Sequence, residues 1–179
     1  MSLHDKNLRI LKNGHVYNEN MEHDACGVGL VASTEGKKTR DVVEYGIEAL
    51  KAVWHRGAVD ADGKTGDGAG IHIEIPSNFF VEKIEATGHQ HKTEDKVCVG
   101  MIFLPRNDFS AQESCRTIVE TELTNNNFYI YGWRQVPVDP KVLGEKAELT
   151  RPEITQILFK TNNDQISDKK LERKLYETR

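Results

Sequence analysis

The chain has 179 residues, of which 37% are hydrophobic and 29% charged, with a net charge of −4. That length favours one domain with a substantial core. The mildly acidic balance gives no reason to expect nucleic acid or an anionic membrane as a partner. No apolar run approaches the roughly 18 residues that a membrane helix needs. The three cysteines form an odd set without a CxxC pair, which favours a reducing compartment, so we expect a cytoplasmic protein without a metal site.

The first quarter of the chain combines a polar leader with two predicted elements. Residues 1–25 are polar and lack the apolar core of a secretory signal, so we interpret them as a propeptide-like leader. The apolar run over 26–33 predicts a buried strand, followed by a turn over 34–37. Apolar residues at helical spacing then predict a helix over 39–54 with Thr39 as its N-cap.

The stretch 55–70 has the most unusual composition of the chain, HRGAVDADGKTGDGAG. A segment so rich in glycine and aspartate predicts a loop, and it is longer than a plain connector usually is. The alternation of isoleucine with polar residues predicts a half-exposed strand over 69–75, and a short helix is expected over 77–84, with Phe79, Phe80 and Ile84 inward.

The rest of the chain predicts strands and helices in alternation. Ser110 and Glu113 fit a capping box, and Tyr129, Tyr131 and Trp133 are expected on one side of a strand. The expected elements are strands over 97–104, 128–136 and 153–160 and helices over 110–123 and 167–176. Such a sequence indicates a layered α/β or α+β domain with an antiparallel or mixed sheet.

Cys26 is the strongest candidate for chemistry, because Gly27 and Gly29 keep space clear around it. The alternative is a small buried hydrophobic residue, which is how we interpret Cys98 and Cys115. A thiol needs a base to attack at neutral pH. If residues 1–25 were removed, the α-amino group of Cys26, with a pKa of about 7.7–8.0, could serve as that base.

Four motifs together resemble one family. They are DACGVG at 24–29, HRGA at 55–58, TGDGAG at 65–70 and IPSNFF at 75–80, and ERKLY at 172–176 agrees as well. Their order and spacing are similar to the glutaminase domain of glutamate synthases, a class-II glutamine amidotransferase, over essentially the whole chain. The resemblance implies an N-terminal-nucleophile hydrolase fold, a four-layer αββα sandwich with antiparallel or mixed sheets, incomplete here at the C-terminus. The domain would then cover residues 26–179.

The resemblance also implies the chemistry. The amide of L-glutamine would be hydrolysed through a thioester on Cys26, and the ammonia would convert 2-oxoglutarate to glutamate elsewhere. Arg56 corresponds to a pocket residue beside the cysteine, the alternative being a surface or core-rim arginine. Gly27, Asp67 and Gly68 would shape the pocket, although Asp67 fits an Asx-type turn equally well.

Several expected parts of the family are missing from these residues. The Asn-Gly pair of the oxyanion hole has no counterpart in its usual context, so the chain alone is expected to be inactive. No cofactor is expected on this chain, whereas FMN and an iron–sulfur cluster are implied for the full-length enzyme. The resemblance implies the remaining synthase domains as partners. A small reductase subunit is a further candidate partner. The alternative is a truncated, non-catalytic amidotransferase-like module. A phosphate-binding loop at TGDGAG is disfavoured, because the motif lacks the Walker lysine.

Overall fold

The computed structural model describes residues 6, 9–10, 27–53, 58–66, 68–92, 95–163 and 165–179. The chain divides into two compact units, residues 1–58 and 59–179. Among the described residues, none of the helices combines the length and the apolar character that crossing a membrane requires.

The first unit contains one described helix of more than a turn, α1 (Arg40–Ala52). Its half-buried positions include Val43, Ile47 and Leu50, which confirms the predicted apolar stripe. Thr39 lies at the N-cap, but its side chain makes no capping hydrogen bond. The turn predicted over 34–37 is confirmed, since Gly36 takes a φ of 66° and its amide donates to the carbonyl of Ser33.

The prediction of a buried strand over 26–33 is wrong for the described residues 27–33. Val28 and Leu30 are 92% and 91% exposed, and no described residue pairs with this segment. An apolar run forms a strand only where a neighbouring strand takes up its backbone hydrogen bonds, and the pattern itself cannot supply that neighbour.

The second unit is built on three strands and four helices among its described residues. The strands are β1 (Cys98–Leu104), β2 (Phe128–Gln135) and β3 (Glu153–Thr161), and the helices are α2 (Ser77–Glu85), α3 (Phe109–Asn125), α4 (Glu145–Thr150) and α5 (Asp168–Thr178). A short 3₁₀ helix, Pro140–Val142, precedes α4. These elements confirm the predicted strands and helices from residue 97 onwards to within a few residues.

The three strands form one antiparallel sheet in the order β1-β3-β2. The last strand in sequence therefore lies in the middle. Cys98 pairs with Phe159 on one side of β3, and Trp133 pairs with Ile157 on the other. The mixed helix and strand content with an antiparallel sheet agrees with the α+β class, and within the described residues one sheet is present.

Both faces of the sheet carry a core. On one face α3 and α5 cover a cluster made of Cys98, Leu123, Phe128, Ile157, Phe159 and Leu171. On the other face α2 covers a smaller cluster made of Phe80, Ile84, Tyr131 and Leu158. Helices on both faces of a sheet bury both sets of alternating side chains, which explains the continuous burial of β3 from Thr155 to Phe159.

A β-bulge in β2 changes which side chains of this strand lie on the same face of the sheet. The register shifts between Ile130 and Gly132, and Gly132 has a φ of 144°, which favours glycine. Because the bulge adds one residue, Tyr131 packs against α2 while Trp133 packs in the cluster on the opposite face. The prediction that Trp133 shares a side with Tyr129 and Tyr131 is therefore wrong.

Three further predictions are wrong. Residues 69–75 form no strand, and Ile71, Ile73 and Ile75 are each at least 39% exposed. Phe79 is also 39% exposed, since only Phe80 and Ile84 of α2 point into the core. Helix α3 begins at Phe109 with the Asp108 carboxylate accepting from the Ala111 amide at 2.9 Å, so the cap is not Ser110.

The central position of β3 predicts that its core side chains dominate stability. Ile157 is 1% exposed, so Ile157→Ala should lower the free energy of unfolding by about 2–5 kcal/mol, because it leaves a cavity between sheet and helices. Urea denaturation followed by circular dichroism measures this loss. The matched control is Ile118→Ala on α3, where the isoleucine is 63% exposed, and its effect should stay below about 1 kcal/mol. Equal losses in the two variants would contradict the assignment of the core.

Candidate active site

The five residues assigned to the site from the sequence are only partly described. Cys26, Arg56 and Asp67 lie outside the described residues. Gly27 is exposed in the first unit and Gly68 is exposed in the second, where an added Cβ at Gly68 would have no described neighbour within 4 Å. Within the described residues of either unit, no two of the five are brought together. Their roles stay predictions.

The structure does show how the glycine-rich loop is built. Residues 59–66 form a tight hairpin, hereafter the glycine-loop hairpin, closed by an antiparallel bridge between Val59 and Gly66. The Asp60 amide donates to the Thr65 carbonyl at 2.7 Å, and the Gly63 amide donates to the Asp60 carbonyl at 2.9 Å. Gly63 has a φ of 67°, a conformation that glycine adopts without strain. Within the stretch predicted as a loop, residues 59–66 therefore form an ordered turn.

The Asp62 carboxylate holds the glycine-loop hairpin together. It accepts from the Thr65 hydroxyl at 2.5 Å, from the Thr65 amide at 2.7 Å and from the Lys64 amide at 2.9 Å. The Thr65 hydroxyl, followed by the Lys64 and Thr65 amides, lowers the pKa of Asp62 from 3.8 to about 2. Asp62 therefore stays ionised over the whole physiological range.

Asp62 also reaches a second element, α4. Its carboxylate lies against Gly144, the N-cap residue of that helix, where an added Cβ would collide with it. Beside it, Lys146 forms an ion pair with Asp60 at 2.6 Å. Gly144, immediately before α4, is buried, and the hairpin lies directly against it. The hairpin is thus docked on the beginning of α4, about 80 residues away in sequence.

Helix α4 is in turn attached to the ends of the sheet. The Glu148 carboxylate bonds Arg106, which follows β1, and Arg151, which precedes β3, the latter at 2.8 Å. The hydrogen bond from Arg151, and then that from Arg106, lowers the pKa of Glu148, and Glu148 raises the pKa of Arg151. The hairpin is therefore positioned relative to the sheet through α4.

A second polar group on the sheet was missed in the sequence. His89 and Tyr129 approach with Nδ1 and the hydroxyl 3.2 Å apart, and the Tyr131 hydroxyl lies 3.4 Å from both His91 Nδ1 and the Asp95 carboxylate. Burial followed by the charge of Asp95 raises the pKa of Tyr131. The matching His-x-His and Tyr-x-Tyr spacings at 89–91 and 129–131 are the only signal that could have indicated this group.

The side chain of Asp95 in this group is almost completely buried and forms an ion pair with Lys160 at 2.8 Å. Burial alone would raise the pKa of Asp95, but hydrogen bonds from Lys160 and the Lys92 amide, with the charges of Lys160 and His91, outweigh it and lower the pKa. Among the described residues no three histidine, cysteine, aspartate or glutamate side chains form a metal-binding group. The ion pair ties Asp95 to Lys160 of β3.

Comparison with known proteins gives one family and several relatives. The family described as "Glutamine amidotransferases class-II" matches residues 26–179. The chain is 56% identical over 170 residues to the glutamate synthase [NADPH] large chain of Azospirillum brasilense, which covers 95% of this chain and 11% of that protein. It is 39% identical over 155 residues to the ferredoxin-dependent glutamate synthase of Pyropia yezoensis, covering 87% and 10%.

A third relative, the glutamate synthase [NADPH] large chain of Bacillus subtilis (strain 168), is 34% identical over 165 residues, covering 90% of this chain and 10% of that protein. The chain therefore spans about a tenth of the length of the curated relatives it matches.

The hydrogen bonds around Asp62 predict a measurable change on Thr65→Val. Loss of the hydroxyl removes the largest cause of the shift, so the pKa of Asp62 should rise from about 2 towards 3.8. Carboxyl-carbon NMR of Asp62 during an acid titration measures it. Thr117→Val is the matched control, because that hydroxyl bonds the Glu113 carbonyl within α3.

The sign of the linked stability change follows from the same shift. A carboxyl group whose folded pKa lies below its ordinary value stabilises the fold when ionised. The contribution of Asp62 is therefore complete above its ordinary pKa of 3.8 and is lost as the pH falls towards 2. A pKa of Asp62 that is the same in the wild type and in Thr65→Val would contradict the described hydrogen bonding.

Proposed function

Because the chain belongs to the class-II glutamine amidotransferases, we propose that it is the glutaminase part of a glutamate synthase, which releases ammonia from L-glutamine by means of Cys26. The observation that carries the proposal is the identity of 56% to a glutamate synthase large chain over 95% of these residues. The ammonia would be used to convert 2-oxoglutarate to glutamate in other domains.

The proposed reaction needs Cys26 at the amino terminus. The α-amino group accepts the thiol proton, the sulfur attacks the side-chain carbonyl carbon of glutamine, and a tetrahedral oxyanion forms. The amino group then returns the proton to the leaving nitrogen, so that ammonia departs and a thioester remains. Water, deprotonated by the same amino group, hydrolyses the thioester to glutamate and the free thiol. The family match beginning at residue 26 supports removal of residues 1–25 as a leader.

The pocket roles are proposed for the residues that match the family motifs. Arg56 would favour the thiolate of Cys26 through its fixed positive charge. Gly27 would leave room for the substrate, and Asp67 and Gly68 would form a pocket wall. This last role is supported by the ordered hairpin that precedes Asp67 and by the open space around Gly68.

The finer architecture is also a proposal. We place this chain in a four-layer αββα sandwich of two sheets, of which β1–β3 form one. The exposed side chains Met101 and Phe103 on β1, with the exposed run Ile71, Ile73 and Ile75, support it, because these apolar surfaces suit a second sheet packed close by.

The iron–sulfur cluster of a complete synthase does not fit these residues. Such a cluster is held by cysteine thiolates, and of the three cysteines of this chain Cys26 is assigned to catalysis. Cys98 is buried, and burial, followed by the charge of Glu172, raises its pKa to about 11, which opposes a thiolate. We therefore place FMN and the cluster in other synthase domains. A small reductase subunit as partner and a cytoplasmic location are proposed with them, the latter supported by the odd number of cysteines.

Covalent labelling tests the nucleophile. 6-Diazo-5-oxonorleucine, a glutamine analogue, should add once per chain to a species that begins at Cys26, as shown by intact-mass and peptide mass spectrometry. Cys26→Ala should abolish the label, because no other thiol is presented to the substrate. Cys115→Ala, at a partly buried position of α3, is the matched control and should keep it. An unprocessed chain whose Cys26 does not react would instead indicate a non-catalytic module.

Ammonia release tests the effect of the missing oxyanion pair. Without Asn-Gly donors the 179 residues alone should turn over glutamine slowly, since one such donor is worth about 3–4 kcal/mol of barrier. Labelling of Cys26 should still proceed, because the analogue requires the thiolate and the pocket. Steady-state ammonia production at a rate of many turnovers per second by these residues alone would contradict this proposal.

A further inference from the structure

The second unit has a small pocket of about 150 Å³ between α2 and the bulged part of β2. Its lining includes the apolar side chains of Ile84 and Leu158 and two positively charged side chains, Lys83 of α2 and Arg134 of β2. We propose that this pocket, hereafter the Lys83–Arg134 pocket, binds a small dicarboxylate. The inference does not rest on the proposed function, because it uses only residues in or beside this pocket.

The two positive charges of the pocket lie near each other because they share one aromatic ring. The Lys83 ammonium and the Arg134 guanidinium each lie 5.2 Å from the centre of the Phe79 ring. The two charges are therefore at most twice this distance apart, which is comparable with the Debye length of about 10 Å at 0.1 M salt. They repel each other at such a distance, and the face of one ring offsets only part of that repulsion.

Neither charge has a carboxylate partner in the part of the chain that the structure describes. Lys83 and Arg134 take part in none of the ion pairs found there. Glu82 and Glu85, the two acids of α2, are exposed. Both cations are half-buried, and charges withdrawn from water are normally paired. Two such cations without an acid therefore indicate a site for a bound anion.

Arg134 is held in place before any ligand binds. Gln156 lies opposite Arg134 in the register of β2 and β3, and its side-chain oxygen accepts from the guanidinium at 2.6 Å. Gln156 is itself only 8% exposed, so this contact is fixed by the sheet. The guanidinium keeps further N–H groups in a planar fork, which matches the two oxygens of a carboxylate. Such preorganisation reduces the freedom that is lost on binding.

The bulge in β2 is what brings Arg134 to this pocket. Residues 131 and 134 would lie on opposite faces of a regular strand. Because the register shifts between Ile130 and Gly132, both Tyr131 and Arg134 lie on the face that α2 covers. Gly132 also lines the pocket, and an added Cβ there would have no described neighbour within 4 Å. The bulge therefore supplies both the charge and an open side.

Charge, lining and size together indicate the class of ligand. Two cations without an acid favour a ligand with two negative charges. Ile84 and Leu158 are 0% and 3% exposed and offer no hydrogen bond from their side chains, so a hydrocarbon chain suits them. The Thr87 hydroxyl, which also lines the pocket, already donates to the Ile84 carbonyl at 2.6 Å. A short-chain dicarboxylate combines two negative ends with an apolar middle, whereas inorganic phosphate has no apolar part.

Titration of the full chain with glutarate, a five-carbon dicarboxylate, tests the proposal. NMR at an ionic strength of about 0.15 M, where exposed charges are screened, follows the amide of Gly132 and the Nε–H group of Arg134. Glutarate should shift both signals in a saturable way. Pentanoate has one carboxylate and should bind about 10-fold more weakly or worse, because a hydrogen bond to a charged group contributes about that factor. The uncharged 1,5-pentanediol should cause no saturable shift.

Matched variants make the test specific. Lys83→Gln and Arg134→Gln should each raise the Kd of glutarate roughly 10- to 100-fold, since each removes one charged contact. Arg173→Gln is the control for the same change, because Arg173 lies on α5 and pairs with Glu177. Its effect should stay below about twofold. Should Arg134→Gln fail to fold, Lys83→Gln at a half-exposed position of α2 carries the comparison.

Four results would overturn the proposal. They are the absence of a saturable shift with glutarate in the wild type, an unchanged Kd in both variants, equal affinity for glutarate and pentanoate, and saturable binding of inorganic phosphate without binding of glutarate. None of them bears on the proposed function, which is tested separately by the labelling of Cys26.

Discussion

The second unit depends on the pairing of β3 on both of its sides. This strand is the last of the three in sequence, yet it supplies hydrogen bonds to β1 and to β2 and carries five consecutive buried residues, Thr155 to Phe159. Its two faces are covered by different helices, so Ile157 and Phe159 belong to one core cluster and Leu158 to the other. Neither β1 nor β2 has a partner within the sheet until β3 is in place.

The residues that precede β3 also determine where the glycine-loop hairpin lies. Helix α4 and Arg151 come just before the strand, and Arg106 comes just after β1, so the Glu148 ion pairs gather at one end of the sheet. The hairpin is docked on the start of α4, where Asp62 lies against the bare backbone of Gly144 and Asp60 pairs with Lys146. The composition of this loop alone predicts a flexible segment, but these contacts fix the position of the hairpin on α4.

One bulge in β2 determines which side chains of the strand join each core cluster and which join the polar group around Tyr131. The extra residue at the bulge turns Tyr131 towards α2, His91 and Asp95, while Trp133 enters the opposite cluster beside Ile157. The Asp95–Lys160 pair then holds Asp95 against the sheet. Because both charges are largely removed from water, this pair serves more to fix the position of Asp95 than to add stability.

The sequence by itself determined the family, through motifs whose order is informative together, and most elements from residue 97 onwards, where the apolar periodicity is clear. The sequence also indicated α1, because the apolar stripe of this helix can be recognised from the helical repeat alone. Only the tertiary structure decided the rest. An alternating run such as Ile71 to Ile75 becomes a strand only with a neighbour, and the face of Trp133 depends on a bulge that no periodicity reveals. The contact of Asp62 with Gly144 joins residues far apart in the chain, and a glycine selected by close approach is indistinguishable in sequence from one selected by its backbone angles.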